Sequence, residues 1–136
     1  DWVCGASVMV RPQAFEAAGG FDEGYFLYYE ETDLMRAGAR AGWETWYAPA
    51  ARVVHLMGGA TGVKDGRTAD RATPTYMFAS RRRYFRKNHG ALYAALADGA
   101  WLAGSAIAFA RGRLAGRDMS GLRTDFSRFL AARKSD

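Results

Sequence analysis

The run ALYAALADGAWLAGSAIAFA, residues 91–110, holds a single charged side chain, Asp98. A stretch this apolar has to be covered by protein or by lipid. It is about as long as a bilayer span requires. Its many Ala and Gly residues and Asp98 make it a weak span. Lys87 stands before it, and Arg111, Arg113 and Arg117 follow. An interfacial or shallowly inserted helix with snorkelling arginines fits this pattern better than a crossing one. A helix packed on the domain is the alternative.

Charge is divided unevenly. Residues 1–55 carry eight acids and four bases, and residues 56–136 carry fifteen bases and six acids. An acidic front and a basic back suggest two separate tasks. The 136 residues are enough for one small domain with a real core. The lone Cys4 excludes an internal disulfide and fits a reducing compartment. The chain opens on DWVCGASVMV, a strand-like run without an initiator Met, which suggests a piece of a longer protein.

Local patterns predict the following elements. Val3–Val10 reads as a buried strand. Arg11-Pro12 opens a short helix that Gly19-Gly20 ends. FDEGYF is a loop. Glu30–Ala41 reads as a helix with acids in its first turn and Gly42 as its stop. Glu44–Tyr47 and Arg52–Leu56 look like short strands on either side of Pro49. Met57–Asp70 is a Gly-rich loop, and its Gly58-Gly59 region could act as a lid or be plain surface. Helices are expected over Thr73–Asn88, Ala91–Ala110 and Ser120–Arg133.

The segment GYFLYYEETDLMRAGARAGW, from Gly24 to Trp43, places Glu30, Glu31 and Asp33 behind a crowd of aromatic rings. On a helix Glu30 and Asp33 share a face, and Glu31 points about 100° away. The carboxylates can complement the helix dipole or do chemistry. Neighbouring rings favour the second reading, since partial desolvation makes a better general base and aromatic faces stack on sugars.

These residues carry a resemblance. Gly5-Ala6, Arg11, Gly19-Gly20-Phe21-Asp22-Glu23, Phe26, Tyr28, Glu30-Glu31, Asp33-Leu34, Ala41-Gly42-Trp43, Pro49 and His55 follow the pattern of the C-terminal half of family 2 glycosyltransferases of the GT-A fold. The chain resembles their rhamnosyltransferase-like branch most. The match is strong over residues 2 to about 62 and weak through SRRRYFRKNHG. It implies that Glu31 is the catalytic base, standing where the family has aspartate. It also implies that Glu30 and Asp33, with Phe26, Tyr28 and Trp43, shape the acceptor site. His55 would be one ligand of a divalent metal, Mn²⁺ or Mg²⁺, that neutralises the leaving diphosphate. Ala37 stands where the family often has arginine, and Arg36 lies on another face. The family's D-x-D motif is absent from this chain.

The resemblance therefore implies an α/β fold. Residues 1–72 would be the acceptor-side, catalytic half of a Rossmann-like mixed sheet, and residues 73–136 a basic and apolar helical region. The parent would be an inverting, metal-dependent glycosyltransferase of cell-envelope polysaccharide synthesis, at the inner face of the cytoplasmic membrane. Its partners would be a nucleotide-sugar, a glycan or lipid-linked acceptor, the membrane surface and the N-terminal half of the same enzyme, with no nucleic acid. Alone, the chain would be catalytically silent, and its exposed first strand could associate with a second copy. Arg81, Arg82, Arg83, Arg86 and Lys87 would meet phosphates or lipid headgroups. The rival reading is a non-catalytic basic module that binds membrane or nucleic acid.

Overall fold

The structure, a computed structural model, describes residues 2–55 and 73–133. The Gly-rich stretch expected to form a loop or lid lies outside the described residues. The chain divides into two compact units, one holding residues 2–25 and 29–55, the other residues 26–28 and 73–133.

The first unit contains α1 (Pro12–Ala17) and α2 (Glu30–Arg40). Pro12 starts α1 where its missing N–H is no loss. The end of α2 is set by Gly42, whose φ of +87° is left-handed and favours glycine. With that turn made, Gly42 N–H donates to the Ala39 carbonyl (3.1 Å) and Trp43 N–H to the Gly38 carbonyl (3.0 Å). This paired closure satisfies two of the helix's last carbonyls and lays Trp43 back on Gly38. Tyr25, Leu34 and Met35 are buried, and Val3 N–H points at the Met35 sulfur (3.2 Å).

The α/β expectation is corrected here. Among the described residues there are five helices and no strand. Val3–Val10, Glu44–Tyr47 and residues 52–55 are irregular, so the expected mixed sheet does not form. A strand exists only through the ladder it shares with a neighbour, and local apolar composition does not supply one. These segments stand apart around an open cleft of about 750 Å³ lined by Val3, Val8, Val10, Met35, Trp43 and Val53 among others. Met9 and Val54 are 98% and 85% exposed, so no sheet covers them.

The second unit is a three-helix assembly of α3 (Thr75–His89), α4 (Ala91–Leu114) and α5 (Ser120–Ala132). Its core is a triangle of rings. Phe78 meets Trp101 edge-on at 5.1 Å and Phe129 at 5.6 Å, and Trp101 stacks on Phe129 at 4.5 Å. Aromatic pairs in these geometries add about 0.5–1.5 kcal/mol each beyond area burial. Residues 26–28 join this unit. Ser80 Oγ donates to the Leu27 carbonyl (2.9 Å), and Tyr76 is flanked by Phe26 and Tyr28. On α5, Asp125 accepts the Thr73 N–H and Arg128 donates to the Thr73 carbonyl. Helix α4 runs four residues past the expected end, through Arg111 and Gly112, and stops at Gly116.

Asp118 steadies the start of α5. Its carboxylate accepts the Ser120 N–H (2.9 Å) and the Ser120 hydroxyl (2.8 Å), and these bonds hold it below the usual carboxylate range. A lowered carboxyl pKa stabilises the fold at neutral pH, and the support disappears as pH falls through the folded-state value. Asp118→Asn should flatten that acid-side dependence in circular dichroism of the helices.

One ion pair lies inside this unit. Arg81 Nη1 donates to Asp98 Oδ1 at 2.7 Å and Nη2 to the Ala97 carbonyl at 2.7 Å, with both side chains mostly buried. Breaking a buried pair strands the remaining charge and costs about 3–5 kcal/mol, whereas replacing both partners by apolar groups is near neutral. Arg81→Met should therefore cost about 3 kcal/mol or more in urea unfolding. The double variant Arg81→Met with Asp98→Leu should recover most of that loss.

Candidate functional site

The three carboxylates lie in the first turn of α2. No side chain caps this helix start, and the preceding residues enter it in an unusual way. Tyr28 and Tyr29 are consecutive non-glycine residues with φ of +69° and +71°. Left-handed backbone at such residues is held against its own preference by the surrounding structure and concentrates at functional sites. The Tyr29 carbonyl accepts the Asp33 N–H (2.9 Å), which makes the first turn of the helix.

The carboxylates then occupy three different environments. Asp33 is 4% exposed and faces the interior beside Leu34. Glu30 is half-buried, and among the described residues its Oε2 is shielded from water with no hydrogen-bond partner. Glu31 is half-buried and lies against Gly5. A Cβ at Gly5 would stand 3.1 Å from Glu31 Cγ and 3.4 Å from its Cδ. The absent side chain at Gly5 is what leaves room for the carboxylate arm. Gly5 and Glu31 were both legible in the sequence; their contact, across 26 positions, was not.

Other expected site residues are placed as follows. Trp43 is half-buried against the end of α2. Phe26 and Tyr28 belong to the second unit, packed on Tyr76, and Phe26 is 81% exposed. His55 is exposed, and among the described residues no three His, Cys, Asp or Glu side chains gather as a metal site. The described residues do not fit a complete metal site. In the basic row, Arg81 is committed to Asp98, and Arg82 Nη1 stands 3.9 Å from the other Asp98 oxygen. Arg83, Arg86 and Lys87 are exposed.

No protein-family model matches the chain, and no solved structure matches it significantly. Curated relatives do match part of it. N-acetylglucosaminyl-diphospho-decaprenol L-rhamnosyltransferase of Mycobacterium tuberculosis is 44% identical over 61 residues, 45% of this chain and 20% of that protein. Rhamnosyltransferase WbbL of Escherichia coli K12 is 40% identical over 55 residues, 40% of this chain and 21% of that protein. The chain therefore spans about a fifth of the length of these relatives. Part of it is similar in sequence to rhamnosyltransferases.

The Gly5–Glu31 contact is testable without any assay of activity. Gly5→Val inserts a branched side chain where Glu31 lies, and such overpacking costs about 1–3 kcal/mol. In the Glu31→Ala background the same change should cost much less, giving a coupling energy above about 0.5 kcal/mol. Additive effects of the two substitutions would separate the residues.

Proposed function

We propose that this chain carries the acceptor-activating part of a glycosyltransferase. The enzyme would move a sugar of the rhamnose class from a nucleotide-sugar to a hydroxyl of a lipid-linked glycan, in cell-envelope polysaccharide synthesis. The observation that carries this reading is the 44% identity over 61 residues to a rhamnosyltransferase whose named substrate is a decaprenol-linked sugar. The acidic first turn of α2 supports it, as a place where a half-buried carboxylate stands among others.

In this reading Glu31 is the general base. Its carboxylate takes the proton of the acceptor hydroxyl. The oxygen attacks the anomeric carbon from the face opposite the nucleotide, and the diphosphate departs with the electrons of the old bond. One displacement of this kind inverts the anomeric configuration. Asp33, turned inward, holds the turn rather than the substrate. Glu30 and Trp43 border the acceptor. The reading is argued from residues of the first unit. A divalent cation, Mn²⁺ or Mg²⁺, enters only through His55, and no step is routed through it.

The test uses the longest polypeptide that carries this sequence, a nucleotide-linked rhamnose and a polyprenyl-diphosphate N-acetylglucosamine acceptor. Glu31→Gln should lower turnover about 10²–10⁴-fold, the usual worth of a general base, with donor affinity little changed. Turnover near wild type would remove Glu31 from the mechanism. His55→Ala should raise the Mn²⁺ concentration needed for half-maximal rate, and an unshifted titration would leave His55 without a metal role. The 136-residue chain alone should neither transfer nor hydrolyse the donor, and micromolar binding of a nucleotide diphosphate to it would overturn the division of labour.

A further inference from the structure

Helix α4 presents two unlike faces. Ala94, Asp98, Trp101, Leu102 and Gly112 are turned inward, against α3 and α5. On the other side Leu92, Leu96, Gly99, Ala103 and Ile107 recur at three- and four-residue spacing, so they form one stripe. Leu92 is 76% exposed, Leu96 65% and Ile107 59%. Only 11% of the helix's most apolar stretch is buried, whereas the helix of a protein core is mostly buried. At about 1.5 Å of rise per residue the stripe from Leu92 to Ile107 is about 22 Å long. A bare apolar strip of that length marks an interaction surface.

The surrounding charge names the occupant. In residues 73–133 eleven arginines and lysines face three aspartates. All three aspartates are engaged within the unit, Asp98 by Arg81, Asp118 by Ser120 and Asp125 by Thr73. The exposed cations collect at the two ends of the stripe. Arg86 and Lys87 precede it, and Arg111, Arg113 and Arg117 close it. At the first end Phe85, His89 and Tyr93 also stack together, with His89 4.5 Å from Tyr93. Amphipathic rings and cations bracketing an apolar strip match the layering of a lipid interface. A nucleic acid would need cations along the strip, where there are none.

We infer that α4 docks lengthwise on an anionic lipid surface, with the Leu92–Leu96–Ile107 stripe in the acyl boundary and the terminal cations at the headgroups. The opposite face excludes a crossing helix, because Asp98 and its partner Arg81 hold that side in the protein core. The inference is independent of the transfer reading, and it needs no donor or acceptor.

The full chain is sedimented with vesicles of phosphatidylcholine holding about 30 mol% phosphatidylglycerol. It should bind them, and at least about tenfold less in about 0.5 M salt or on phosphatidylcholine alone. Leu96→Glu and Ile107→Glu alter exposed positions, so circular dichroism and melting should match wild type while vesicle binding falls at least about tenfold. Three results would overturn the proposal. Folded glutamate variants could bind as well as wild type. Wild type could ignore vesicles and retain short duplex DNA. Light scattering could show a dimer that the same substitutions dissociate, with no vesicle binding, assigning the stripe to a second copy.

Discussion

The second unit depends on how Asp98 is satisfied. In a helix as rich in Ala, Gly and Leu as α4, apolar patterning alone fixes the rotation only weakly. One carboxylate among those residues settles the matter, because an unpaired charge in a core is far worse than any loss of apolar contact. Arg81 meets it with one guanidinium nitrogen and takes the Ala97 carbonyl with another. The same group lies 5.1 Å over the Phe85 ring. A planar fork can serve all three at once, and an ammonium cannot. With that face fixed, Trp101 turns toward Phe78 and Phe129 and the aromatic triangle closes. The outward stripe follows as the remainder.

In the first unit, α2 is fixed differently at its two ends. Its C-terminus rests on hydrogen bonds that any helix can make once a glycine permits the turn. Its N-terminus follows Tyr29, whose φ of +71° lies in a backbone region that tyrosine disfavours. Such a conformation persists only where the surrounding structure holds it. The backbone of Tyr29 bears on the candidate base, because Glu30 and Glu31 follow it directly in the first turn of α2. Gly5 acts from the other side, as a gap into which the Glu31 arm fits.

Much of this was legible in the sequence where the signal is local. Helix starts and stops came from Pro12, Gly42 and the acidic first turn, features that act within one turn of chain. The resemblance to rhamnosyltransferases was also legible, because it is carried by many spaced identities. The sheet was misread for the opposite reason. Val3–Val10 has the right residues for a strand, but a ladder is a relation between distant segments, and no local pattern encodes one. The Arg81–Asp98 pair was hidden in the same way: Arg81 reads as one more cation in RRRYFRKNHG until its partner, seventeen residues on, is brought to it. The left-handed tyrosines carried no signal either, since neither glycine nor asparagine marks the position.

The composition of α4 also bears on how strong any lipid contact is. Its outward face mixes Leu and Ile with Ala and Gly, which bury little area each, so the apolar term alone is modest. Each Lys or Arg near an anionic surface adds about 1 kcal/mol, and this contribution shrinks within a Debye length as salt rises. Neither term holds the chain firmly by itself, which is the usual situation for interfacial anchors that need two signals. Contact of this kind is reversible and sensitive to lipid charge. It suits a protein that visits a surface more than one embedded in it. Asp98 enforces the distinction: to cross the bilayer α4 would have to break its ion pair with Arg81, while lying flat leaves the pair intact and exposes only the face that carries no charge.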